Sequence, residues 1–142
     1  MRRVTEVAVG DEIQELRRVV TREDVSAYAE ASGDRNPLHL DDAFARSVGF
    51  PGVIAHGMFT MGHMTAAVVA WAGEPSAVVS VSAQFRAPVF PDDTIVAGGR
   101  VRAIDHDYDV AELDTWVVVR RDGREEWPVK RGAARVRLTR VD

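Results

Sequence analysis

Two patterns along the chain predict an α+β fold: helical spacings occupy the first half and strand alternation the second. A third feature places a long helix between them. Ser47 to Gly73 contains no Asp, Glu, Lys or Arg and ends in an almost unbroken apolar run. About five antiparallel strands are expected to pack around that helix, in one domain covering residues 1–142.

The first strand is expected around Ile13 to Val20. Thr21 then reads as a helix N-cap with Glu23 and Asp24 in the first turn. Val25, Tyr28, Ala29 and Ser32 recur at helical spacing, and Gly33 supplies the stop. Asn36 precedes Pro37, which disfavours helical geometry at Asn36 and sets a turn. Asp41 or Asp42 can cap a short second helix running through Phe44 and Val48 to Gly49. The uncharged segment is interrupted by Pro51, two histidines and several glycines, so it falls short of the ~20 apolar residues that a membrane span needs. It reads instead as a buried central helix. Starting near Gly57, roughly 15 residues would rise about 22 Å and be apolar on nearly every face, as a helix wrapped by a sheet should be.

The sheet follows. Val79, Val81, Ala83 and Phe85 alternate with Ser80, Ser82, Gln84 and Arg86, the period of a strand with one buried face. Further strands are expected near Asp93 to Ile104, Val110 to Arg120 and Val129 to Leu138, with Asp122-Gly123 as a hairpin turn between the last two.

The chemistry concentrates in Tyr28 to Ala45. Asp34 and His39 stand five residues apart on a loop stiffened by Asn36-Pro37, so an acid and an imidazole can converge on one small substrate group. The same spacing also suits plain turn hydrogen bonding by Asp34 and Asn36 with His39 packed or capping, and spacing alone leaves both readings open. The start of the central helix adds a third element. Free N–H groups and the positive end of the helix dipole near Gly57 suit a developing oxyanion.

The segment Ser32-Gly33-Asp34-x-Asn36-Pro37-Leu38-His39, with Ala45 at the expected distance, resembles the hydratase-2 motif of the MaoC-like, (R)-specific enoyl-thioester hydratases and dehydratases. Ala55-His56-Gly57-Met58 is similar to that family's start of the central helix, and Phe85-Arg-Ala-Pro-Val-Phe-Pro-Asp-Asp-Thr94 to its strand motif. Ile54-Ala-His-Gly-Met-Phe-Thr-Met-Gly62 and the chain length bring it nearest to the catalytic-subunit type of mycobacterial (3R)-hydroxyacyl carrier-protein dehydratase. Two positions depart from the pattern: Ala31 replaces a larger aliphatic residue, and Asp92 stands where glycine is frequent.

The resemblance implies a hot-dog fold, a curved antiparallel sheet wrapped around the long helix. It also implies reversible dehydration of (3R)-3-hydroxyacyl thioesters, or hydration of trans-2-enoyl thioesters. Asp34 and His39 would exchange the protons, and the backbone N–H of Gly57 would hold the thioester oxygen. His39, with an unperturbed pKa of roughly 6.5, suits exchange of the α-proton near neutral pH. Asn36 would shape the loop, and Thr65 could set a hydroxyl against the acid or bond its own helix backbone. His56 could sit by the thioester, or simply pack or cap; His63 reads as a core or interface histidine. Met58, Met61 and Met64 are first core and second an acyl lining. Arg86 could meet a carrier phosphate, with a solvated charge as the default.

Composition narrows the classes further. With 46% hydrophobic and 28% charged residues the chain is ordinary for a globular protein, and a net charge of −4 offers nothing to nucleic acid. There is no cysteine, and Asp34, His39, His56 and His63 show no zinc-like spacing, so neither disulfide nor metal is expected. Met-Arg-Arg-Val leads into acids rather than an apolar stretch, so no secretory signal is expected and a cytoplasmic enzyme is. No cofactor is expected beyond the coenzyme A or acyl-carrier phosphopantetheine that carries the substrate. The resemblance implies a homodimer, or a heterodimer with a second hot-dog subunit. A hot-dog thioesterase and a non-catalytic acyl-binding subunit are the alternatives; the presence of both Asp34 and His39 disfavours each.

Overall fold

The computed structural model describes residues 1–140, and its local structure starts from the caps. Strand β1 (Glu12–Val19) leads into helix α1 (Arg22–Ser32). Thr21 is the N-cap: its hydroxyl accepts from the Asp24 N–H at 3.0 Å, and the Asp24 carboxylate accepts from the Thr21 N–H at 3.0 Å. Gly33 ends α1 in the left-handed region, φ 77°, where a side chain would be strained. Asp41 caps the short helix α2 (Asp42–Ser47) by accepting from Ala43 and Phe44. Asp42 accepts from the Val53 N–H at 3.0 Å and pairs with Arg22, which ties the segment before the long helix to α1.

The long helix α3 (Gly57–Ala72) runs to a second left-handed glycine, Gly73. After it come β2 (Val78–Ser82), β3 (Thr94–Asp105), β4 (Val110–Arg121) and β5 (Arg124–Arg137). The five strands form one antiparallel sheet in the order β1-β3-β4-β5-β2, the hot-dog arrangement. Thr60, Met64, Ala67, Val68, Trp71 and Ala72 form the buried stripe of α3, against Ile95, Leu113, Val117, Val129 and Val136 from the strands. Valine dominates the innermost positions: Val20, Val25, Val53, Val68, Val101, Val117, Val119, Val129 and Val136 are all but sealed from solvent.

Three expectations need correction. Helix α3 is not enclosed on every face: Met58, Gly62, Ala66 and Ala70 are exposed along one side, because in a single chain the sheet covers only the other. Strand β2 stops at Ser82, and Phe85 makes only an isolated bridge to Val129. Within β2, Val78 pairs with Val136 but Ser80 with Arg135, so the ladder slips by one residue and Val79 turns outward, 45% exposed. Strand β5 begins at Arg124, earlier than expected, because Asp122 and Gly123 (φ 52° and 73°) form a two-residue turn that pairs Arg121 with Arg124 directly. Pro128, which has no N–H for the ladder, falls in the bulge between Glu126 and Val129.

Candidate active site

The loop after α1 is built from its own side chains. Asp34 N–H donates to Ser32 Oγ at 3.1 Å, Asn36 N–H to Asp34 Oδ1 at 3.2 Å, and Leu38 N–H to Asn36 Oδ1 at 3.0 Å. Pro37 to His39 then form one 3₁₀ turn capped by Asn36. The turn reading of Asp34 is met by one carboxylate oxygen, and the other is left toward the imidazole. Oδ1 shapes the loop, while Oδ2 lies 4.0 Å from His39 Nε2. The Asp34 side chain is 56% exposed and that of His39 only 11%.

His39 is held in one tautomer. Its Nδ1 lies 2.6 Å from the main-chain oxygen of Ile54, and a carbonyl oxygen only accepts, so Nδ1 carries the proton. Nε2 is the ring nitrogen that lies 4.0 Å from Asp34 Oδ2. The segment Ile54–His56 is itself fixed between two others: Ile54 N–H donates to Leu38 O at 3.3 Å, and Ala55 N–H to Val89 O at 2.8 Å. The imidazole and the start of α3 are thereby referenced to the same short stretch of backbone.

At the head of α3, Phe59 and Thr60 N–H turn back to His56 O, and among the described residues the Gly57 N–H finds no main-chain acceptor. Gly57 lines a cavity of about 230 Å³ whose walls also include Asp34, His39, His56, Met58 and Tyr28. A second cavity of about 260 Å³, lined by Ile54, Ala55, Thr60 and Val89, shares Gly57 and Phe85 with the first. The arrangement brings a carboxyl group, an imidazole and the first residue of a helix around one small volume, next to an apolar one.

Asp34, His39, His56, Gly57 and Met58 thus come together. Asn36 does not line the cavity and acts on the loop alone. Thr65 takes the helix-backbone alternative: its hydroxyl donates to Met61 O at 2.8 Å, the ordinary bond of a helix threonine to its preceding turn. His63 is also elsewhere, with Nε2 2.8 Å from Leu16 O. Arg86 donates to Gln84 and lines the apolar cavity. Three contributors were not singled out from sequence: Ser32, whose hydroxyl holds the Asp34 N–H, and Tyr28 and Phe85 in the walls. Ser32 was legible in principle, since a serine two residues before an acid at a helix end forms such turns.

Donor atoms of Asp34, His39 and His56 lie within 4.8 Å of one another, a cluster that sequence spacing did not show. The rings do not suit a metal. His39 and His56 stack with centroids 3.7 Å apart and planes 22° from parallel, so their in-plane lone pairs run side by side. Zinc ligation requires both lone pairs to converge on one ion at about 2.0–2.1 Å.

An exposed acid and a largely buried imidazole thus meet at the N-terminus of the long helix on a hot-dog sheet. Residues 5–119 match the MaoC like domain, and the chain belongs to that family. The mitochondrial 3-hydroxyacyl-[acyl-carrier-protein] dehydratase of Arabidopsis thaliana is 45% identical over 101 residues, covering 70% of this chain and 58% of that protein. The 3-hydroxyacyl-thioester dehydratase Y of Mycobacterium tuberculosis is 46% identical over 78 residues, 53% of this chain and 27% of its own length. The chain therefore spans less than two thirds of either relative in these matches. The solved (R)-hydratase from A. caviae involved in PHA biosynthesis superposes with a TM-score of 0.83 at 30% identity, over 94% of this chain and 98% of that one.

Proposed function

We propose that the protein is a hydro-lyase that interconverts (3R)-3-hydroxyacyl and trans-2-enoyl thioesters. The observation that carries this reading is the separation of Asp34 Oδ2 and His39 Nε2, 4.0 Å apart in a cavity that Gly57, the first residue of the long helix, also lines. In hydration, the Asp34 carboxylate takes a proton from water as its oxygen bonds to C3 of the enoyl group. The electron pair moves through C2 toward the thioester oxygen, to which the Gly57 N–H donates a hydrogen bond as charge develops; one such donor is worth on the order of 10²- to 10³-fold in rate. His39, entering protonated, gives its Nε2 proton to C2. The proton gained by Asp34 then returns to His39 across the short gap, and dehydration is the reverse. No cofactor or metal enters any step.

The thioester end is all that the site reads, so coenzyme A and the phosphopantetheine of an acyl carrier protein both fit, as does a role in fatty acid or related acyl metabolism in the cytoplasm. Among the described residues no helix is long and apolar enough to cross a membrane. Assembly with a second hot-dog subunit, identical or different, is supported by the free edge of β2, where Val79 is exposed, and by exposed Met58 and Phe85 beside the cavity. The ChsH1-ChsH2 complex from Mycobacterium tuberculosis shares the fold at 21% identity and a TM-score of 0.78.

The test is a single assay on crotonyl-CoA and a long-chain enoyl thioester. Loss of the conjugated enoyl absorbance, with the thioester intact, supports the reading. Release of free thiol with the double bond retained would show a thioesterase instead.

A further inference from the structure

His56 is 3% exposed, yet the steps above make no use of its side chain. Its Nε2 lies 2.8 Å from the main-chain oxygen of Asp34. That carbonyl only accepts, so Nε2 carries the proton and the neutral ring leaves Nδ1 as a lone pair. Nδ1 is buried and has no partner. An apolar side chain would fill the same space without that cost. What imidazole adds is an N–H at Asp34 and a flat face at His39.

Both additions fall where the site needs them. Every other hydrogen bond of Asp34 stays within residues 32–36, so among the described residues the His56 bond alone joins this acid to another element. One face of the His56 ring stacks on His39 at 3.7 Å, and Tyr28 lies against the ring at 4.9 Å. The main chain of His56 is the N-cap of α3, adjoining the Gly57 N–H.

We propose that His56 is a positioning residue: its side chain ties the Asp34 backbone and the His39 ring plane to the start of α3, and so sets the acid, the base and the oxyanion donor in register. This rests on the hydro-lyase reading. Misplacing a reacting group by about 1 Å can cost roughly 10²-fold in rate, and a loop held only by its own turns has that freedom.

The test compares His56→Gln with His56→Asn. Both lose the ring, but the glutamine amide reaches the place of Nε2, whereas the asparagine amide stops short of Asp34 and is itself a favoured N-cap. Crotonyl-CoA hydration by His56→Asn should fall by roughly 10²-fold in kcat. His56→Gln should recover at least about tenfold of that loss, with KM of both within about threefold of wild type. Equal kcat in the two variants, or a loss carried by KM, overturns the proposal. His56→Phe keeps the stacking face and removes the N–H, so it should resemble His56→Asn; turnover like wild type would equally overturn the tether. Amide exchange at Asn36 and Leu38 supplies a readout independent of turnover and should quicken in His56→Asn but not in His56→Gln. Wild type, run alongside, separates the two failures: an inactive wild type ends the hydro-lyase reading, whereas an active wild type matched by His56→Asn ends only the role of His56.

Discussion

The ring of Phe85 lies directly on the Cα of Gly57. A methyl group built on Gly57 would meet Cδ2 and Cε2 of that ring at 2.8 Å. Gly57 has no positive φ, so its lack of a side chain answers a close approach rather than a backbone requirement. Phe85 is 48% exposed and has room to swing.

Gly57→Ala and Gly57→Pro both set a Cβ against Phe85, and proline is tolerated at the first position of a helix. Only proline also removes the N–H. We expect Gly57→Pro to show a kcat roughly 10²- to 10³-fold below Gly57→Ala, with substrate affinity less changed. Steady-state hydration of crotonyl-CoA by both variants, each checked for folding by thermal melting, decides it. Equal turnover would mean that another donor holds the thioester oxygen.

Asp34→Asn keeps the Oδ1 acceptor used by the Asn36 N–H, and His39→Asn keeps a donor near the place of Nδ1 for the Ile54 oxygen. Each removes proton chemistry while leaving the loop its bonds. Both variants should lose at least about 10²-fold in kcat, with stability within about 0.5 kcal/mol of wild type. A folded variant retaining more than about a tenth of wild-type kcat contradicts its residue's role.

Asp92, at the position where the resemblance expects glycine, has φ 74°. A non-glycine residue there carries about 1–2 kcal/mol of strain, partly offset by the greater backbone entropy that glycine loses on folding. Asp92→Gly should raise stability by up to about 1 kcal/mol in urea denaturation. A fall would assign the carboxylate a contact of its own.

His63 is partly buried on α3 against Leu16 O, and burial lowers its pKa despite that bond. The unfolded chain therefore takes up the proton first as pH falls. The stability at stake is fully present above the unfolded value of about 6.5 and is lost as pH falls through the lowered folded value. His63→Gln keeps a donor for Leu16 O but does not titrate. Its denaturation midpoint should decline less than that of wild type between pH 7.5 and 5.5.

The free edge at β2 should be covered in solution. Light scattering should give at least twice the 15.6 kDa chain mass. A stable, active monomer refutes assembly as a requirement.

What was legible in the sequence was local. Thr21, Asp24 and Gly33 define α1 through bonds spanning three or four residues, and Asp122-Gly123 specifies its turn alone. Asp34, Asn36 and His39 share one loop, so their spacing already limits their geometry. The stacking of His39 on His56 joins loop to helix, and no local rule contains it. The bulge that turns Val79 outward depends on the register of β5, more than fifty residues away, and periodicity within β2 cannot show it. Of the two roles open to Thr65, the structure shows the local one, a bond from its hydroxyl to Met61 O.

The valine-rich interior bears on how this scaffold meets mutation. A buried valine has little rotamer freedom to lose, and its replacement by alanine removes only two methyl groups, so the resulting void is small. With much of the innermost apolar burial divided among nine such side chains, no one valine is a keystone. Damage to the interior is graded rather than abrupt, and the loop from Ser32 to His39, anchored by hydrogen bonds instead of by bulk, can change its chemistry without disturbing the valines beneath the sheet.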